Sequence, residues 1–230
     1  MSSSWPSTSA ESESFFARRR WVLLALVVVP VAVFAYVTSL VVRDASQLWD
    51  ERVISGIQDE GNSVLRRVML FITDTGGVGR AVPIAIVLAL FLWKRLHRDA
   101  VTLVAAAVGA QLITQTFKSL VGRARPPLDI QIGRFPTDPS YPSGHALGST
   151  VLYGFLAVWL WRRGHRIAAV IAGIWAALVS FSRVYLGSHH PTDVMGSLCL
   201  GVAWLTTVFL VYDEFVRRKH ATRPLEQAAL

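Results

Sequence analysis

Uncharged apolar runs alternate along this chain with short polar segments, and the runs occupy residues 21–42, 81–93, 100–117, 146–161, 167–182 and 194–212. A helix rising about 1.5 Å per residue needs roughly 20 residues to cross about 30 Å of hydrocarbon. Most of the runs approach that length, and the short one at 81–93 has Val64, Leu65, Val68, Met69 and Ile72 before it at helical spacing, so this crossing is predicted to extend back toward Val64. The pattern predicts an all-α fold, a six-transmembrane helical bundle. Within the third run, Ala105, Ala106, Ala107, Gly109 and Ala110 let neighbouring helices approach closely, which places it at the bundle centre.

The segments between the runs differ in kind. Seven serines fall within residues 1–14, without apolar periodicity, and predict a disordered tail over residues 1–17. The membrane domain is then 18–220, followed by a C-terminal tail at 221–230. The first run exceeds the h-region of a signal peptide and five more follow it, so it reads as a retained anchor. Between residues 43 and 77, Leu48, Trp49, Val53 and Ile57 recur at helical intervals among acids and amides, which predicts an interfacial helix broken by Asp74-Thr75-Gly76-Gly77.

Composition agrees with a membrane protein, at 53% hydrophobic residues. The net charge of +8 would suit nucleic acid, but the basic clusters sit at alternate ends of the runs: Arg18 to Arg20, Lys94 to Arg98, Arg162 to Arg166 and Arg217 to Lys219. That is the positive-inside pattern, with both termini cytoplasmic in a cell membrane and no nucleic-acid partner. Trp21, Trp93, Trp159 and Trp161 fit an aromatic belt on the same side. Cys199 is the single cysteine and reads as a packed thiol.

With this topology, the ends of spans three and five and the starts of spans four and six share the extracytoplasmic face. These ends carry Lys118 and Arg125, then Arg183, then Ser143-Gly144-His145, then His189 to Asp193. Charges at a membrane boundary are costly unless paired or wet, so their gathering on one face marks a task. Lys118 and Arg125 lie seven apart, two helical turns, and would project to one side before Pro126 stops the helix. Ser143 and Gly144 open a helix and offer a hydroxyl and backbone N–H groups to an anion. With Pro191 in the first turn of a helix, Asp193 can orient the imidazole of His189, four residues earlier. His97, His165 and His220 stand beside Arg or Lys on the opposite face and read as solvated.

Three cations, a helix start and two histidines with a carboxylate suit phosphoryl transfer, which consists largely of positioning and charge stabilisation and needs no metal. One histidine can attack phosphorus while the second protonates the leaving alkoxide and later takes a proton from water. Lys118 with Arg125-Pro126, Pro142-Ser143-Gly144-His145, and Ser182-Arg183 with His189 and Asp193 resemble the three signature motifs of the type 2 phosphatidic acid phosphatase superfamily. The resemblance implies a metal-independent lipid phosphatase without cofactor, with His189 as nucleophile, Asp193 its partner and His145 the acid and base. It implies that Lys118, Arg125, Ser143, Gly144 and Arg183 bind phosphate. Its members act on prenyl diphosphates such as undecaprenyl diphosphate, on phosphatidylglycerophosphate and on phosphatidic acid, so the expected partners are a lipid phosphate or diphosphate and membrane lipids.

Other readings compete. His145, His189, His190 and Asp193 could ligate zinc, against which the three cations argue. A protein that captures phosphate headgroups without cleaving them, or a phosphotransferase acting on a second lipid, would carry similar residues. Ser143 beside His145 does not establish a protease triad. Arg123 and Arg134 could reach a second phosphate or be solvated loop charges, and Asp74 and Arg80 could be functional or belong to a solvated loop.

Overall fold

The structure, a computed structural model, describes residues 9–59, 61–133 and 136–227. Among the described residues there are eight α-helices: α1 Ser9–Val42, α2 Gln47–Asp59, α3 Ser63–Asp74, α4 Ala81–Trp93, α5 His97–Val121, α6 Gly144–Arg162, α7 Arg166–Tyr185 and α8 Pro191–Gln227. The described residues contain no strand, in keeping with the all-α expectation. The tail expected to be disordered over 1–17 is helical from Ser9, where α1 begins, and α8 continues through the expected C-terminal tail to Gln227; residues 1–8 and 228–230 lie outside the described residues.

Among the described residues four helices are long and apolar enough to cross a membrane, at Trp21–Val42, His97–Val121, Arg166–Tyr185 and Pro191–Phe215, and Ala81–Trp93 is a shorter apolar helix. Their outward sides carry bare apolar groups such as Val101, Leu112, Ile167 and Val211, all more than half exposed. Such a surface suits hydrocarbon and would be an aggregation hazard in water.

The second crossing departs from expectation. Rather than one helix from Val64 to Trp93, α3 and α4 are separate, divided by a turn and a 3-10 turn at Val78–Arg80. Asn62 starts α3, its side chain accepting from Val64 N at 3.0 Å and Leu65 N at 2.9 Å. Thr75 to Gly77 end it with turn hydrogen bonds to Ile72, Thr73 and Asp74. Helical spacing on one face of 64–72 therefore reports a separate amphipathic helix, packed on α7 through Met69, Ile72 and Thr73. The outer segment likewise holds two helices, α2 and α3, where a single one was expected.

Helix α6 lies at the centre, packed against α5, α7 and α8. Leu147, Val151, Leu152 and Phe155 are almost wholly buried. The small-residue stretch of α5 approaches this core closely, Ala106 and Ala110 packing with Leu147, Val151 and Val208, but α5 does not take the central place expected of it, since its other side exposes Val101, Val108 and Leu112. Trp204 of α8 lies over Gly109 and donates its indole N–H to Ala106 O at 2.9 Å. Helix α1 packs on α8 and joins the bundle through Phe34, Val37 and Val41.

Candidate active site

Helix starts and stops bring the polar residues to one end of this bundle. Helix α5 ends at Val121, and Gly122 takes the left-handed conformation (φ 61°) as its C-cap, a geometry that glycine adopts without a Cβ penalty. The expected two-turn helical register of Lys118 and Arg125 is thus corrected, because Arg125 lies in the loop beyond the helix. The two cations converge instead through Asp138 of the α5–α6 loop. Lys118 donates to its Oδ2 and to Pro139 O, while Arg125 NH2 donates to Oδ1 at 2.9 Å. These contacts draw the Asp138 carboxyl down to about 2, although partial burial works against that shift.

Ser143 is the N-cap of α6, and its Oγ accepts from Ala146 N at 3.4 Å. Its own N–H points to Asp193 O at 3.4 Å, which ties the start of α6 to the start of α8. The hydroxyl offered to an anion in the sequence reading is engaged within the helix end. Gly144 follows at the first position of α6 and His145 at the second. The half-buried His145 ring lies against Gly77, where a Cβ would come within 2.6 Å of Nε2, so the glycine of the α3–α4 turn makes room for it.

Helix α7 delivers Arg183, buried, with NH1 donating to Thr73 Oγ1 at 2.7 Å and Nε without an acceptor among the described residues. Gly187 (φ 58°) then turns the chain so that His189 precedes α8, which starts at Pro191. The His189 ring is buried, with Nδ1 3.5 Å from Asp193 Oδ2 and 3.4 Å from Ser140 Oγ, and Nε2 facing Arg125 NH1 at 3.2 Å. Burial, aided by Arg125 and Arg183, pushes His189 down to about 3 against the opposing pull of Asp193. The ring is neutral at ordinary pH. Asp193 also closes a capping interaction, accepting from His190 N at 2.9 Å.

All eight sequence-nominated residues belong to this end. Lys118, Arg125, Asp138 and His189 form one chain of contacts, Asp193 extends it to Ser143, and His145 lies within electrostatic reach of His189, Arg183, Arg125 and Arg80. His190 is buried with Nδ1 3.4 Å from Asp193 Oδ2.

Several residues were read differently from sequence or missed. Arg123 is no solvated loop charge, since it is buried and paired with Asp193 at 2.6 Å and Asp50 at 2.7 Å. Asp50, Ser140 and Thr73, none nominated, touch Arg123, Asp193 and Arg183 respectively. Arg80 is half-buried and donates to Gly144 O at 3.2 Å, while Arg134 lies outside the described residues. The zinc arrangement finds little support in this geometry. Among the described residues no cluster of three His, Cys, Asp or Glu could hold a metal, and Arg125 faces His189 Nε2 where a metal would stand.

The sequence matches the PAP2 superfamily over residues 99–217, more than half of the chain and all of this site apart from the α2–α4 contributions. The chain belongs to that superfamily. Among its PAP2 relatives, phosphatidylglycerophosphatase B of Bacillus subtilis is 28% identical over 202 residues, covering 82% of this chain and 97% of that protein. An undecaprenyl-diphosphatase of Sulfolobus acidocaldarius is 32% identical over 152 residues, 63% of this chain and 68% of its own length. The fold is similar to the crystal structure of a transmembrane PAP2-type phosphatidylglycerolphosphate phosphatase from Bacillus subtilis, with TM-score 0.76, 26% identity and coverage of 83% and 97% of the two chains.

Proposed function

We propose that this PAP2 protein is a membrane-integral, metal-independent lipid phosphatase that works through a phosphohistidine at His189. The observation that carries the reading is the position of His189: Nδ1 toward Asp193, Nε2 toward Arg125, beside the cations Lys118 and Arg183. A neutral imidazole with its Nε2 lone pair turned to a ring of cations is a nucleophile for a phosphorus held by those cations. The buried Arg183 Nε is a donor that a phosphate oxygen would satisfy.

In the first step the His189 Nε2–P bond forms, the bond from phosphorus to the leaving oxygen breaks, and His145 gives that oxygen its proton. Asp193 holds the Nδ1 proton and balances the charge on the ring. In the second step water attacks phosphorus, His145 takes a water proton, the P–N bond breaks and inorganic phosphate leaves. Lys118, Arg125, Arg183 and the N–H groups at Gly144 and His145 stabilise the equatorial oxygens.

The chain spans the membrane six times, the short apolar α4 serving as the second crossing. Both termini are cytoplasmic and the site opens on the outer face of the cytoplasmic membrane, a reading that the basic clusters at the opposite ends support. The substrate is a lipid phosphate or diphosphate, of the kind named for the relatives: phosphatidylglycerophosphate or undecaprenyl diphosphate. The test is phosphate release by the purified protein from a panel of prenyl and glycerolipid phosphates in excess chelator. We expect release that His189→Ala lowers by at least about 10³-fold. Activity retained in that variant, or binding without release in the unaltered protein, defeats the reading.

A further inference from the structure

Asp193 does more than face an imidazole. Its Oδ1 accepts from Arg123 NH1 at 2.6 Å, and its Oδ2 accepts from Ser140 Oγ and from His190 N at 2.9 Å. The other arm of the guanidinium, NH2, donates to Asp50 Oδ2 at 2.7 Å. Asp50 in turn accepts from Thr192 N at 2.9 Å and from the Thr192 hydroxyl at 2.7 Å, and so grips the first turn of α8 from α2. Both carboxylates are 0% exposed and Arg123 is 9% exposed.

Burying ions is expensive unless each is fully paired, and this cluster is paired throughout. Two carboxylates share one guanidinium, which leaves one net negative charge, and two imidazoles stand at Asp193 Oδ2, His189 with Nδ1 at 3.5 Å and His190 with Nδ1 at 3.4 Å. The guanidinium fixes the plane of the Asp193 carboxylate. Asp50 meanwhile engages half of the Arg123 fork. With Asp50 neutral, the whole cation would draw on Asp193 and weaken its hold on the Nδ1 proton. The charged groups that face His189 directly are Arg125, Arg183, Asp193 and, from α6, His145. Neither Asp50 nor Arg123 touches the proposed phosphate position; they act on it only through Asp193.

We propose that Asp50 and Arg123 are positioning residues that set the orientation and charge of Asp193 and thereby keep His189 in its Nδ1-protonated, Nε2-nucleophilic form. This inference rests on the reading of His189 as nucleophile. It extends the machinery to α2, which lies outside the residues 99–217 that match the superfamily.

The experiment uses the full chain purified in micelles, ¹⁵N-labelled at histidine, with the His189 signal assigned by its loss in His189→Ala. Phosphate release from phosphatidic acid in mixed micelles is measured on the same samples. In the unaltered protein His189 shows the Nδ1-protonated tautomer. Asp50→Asn and Arg123→Gln bring in the Nε2-protonated form and lower kcat by about tenfold or more, with KM within about threefold. Arg123→Lys regains part of that kcat. An unchanged His189 tautomer with kcat within about twofold of the unaltered protein overturns the proposal, as does a loss borne by KM with the tautomer kept. Should Arg123→Gln not fold, Asp50→Asn carries the same test, because it retains the shape while losing the charge and one acceptor oxygen. Failure of the underlying reading looks different: the unaltered protein and His189→Ala would release phosphate equally.

Discussion

His189 and Asp138 are the residues whose surroundings bear most directly on acid. His189 is held down to about 3 from the usual 6.5, so between those two values the unfolded chain binds a proton that the folded chain does not. Stability from this group is therefore present above pH 6.5 and falls as pH drops toward 3. Asp138, held down to about 2, contributes above 3.8 and loses its contribution as pH falls through 2. Both act in the same direction, so thermal midpoints in detergent should fall on acidification below pH 6.5. The kcat/KM profile should keep its acid limb well below 6.5, because His189 is already neutral there. A limb at or above 6.5 would contradict the buried, cation-flanked ring. The eight nominated residues stood out because their types suit phosphate chemistry, and the structure gathers them at one end of the bundle. Asp50, Ser140 and Thr73 were not, since they are ordinary polar residues whose work depends on which distant element they meet. Arg123 was misread because a guanidinium between Gly122 and Ala124 gives no sign, in sequence, of two buried carboxylates around it.

At the scale of elements, apolar runs located the long helices, and small side chains located the close approach of α5. Gly109→Leu should test that approach, since any Cβ there meets the Trp204 ring. Overpacking of this kind costs about 1–3 kcal/mol and should lower the thermal midpoint while the site at the far end of α5 keeps its KM. An unchanged midpoint would mean that Trp204 moves aside freely. The breaks were harder to read than the runs. The turn after α3 was visible in Asp74 to Gly77, but helical spacing before it looked like the start of a membrane span, because an amphipathic helix and a span flank share the same period. Likewise Pro126 drew attention as the stop of α5, whereas Gly122 ends it four residues earlier.

For the whole molecule, the proposed orientation makes the two ends chemically distinct to an impermeant reagent. In a Cys199→Ala background, Asp129→Cys in the exposed α5–α6 loop should react with an impermeant maleimide on intact cells. Arg98→Cys, exposed near the start of α5, should react only after permeabilisation. The reverse result would invert the topology. Family membership was readable from three short motifs because they crowd into the part of the chain that forms this end. One detail at that end affects how any measured affinity is understood. Asp138, half exposed, already lies between Lys118 and Arg125, so under the proposed function an arriving phosphate would exchange with an anion that the protein itself supplies. Its apparent binding strength is then a difference between two negatively charged guests, and a headgroup carrying a single weak charge competes poorly with a resident carboxylate tethered a few ångströms away.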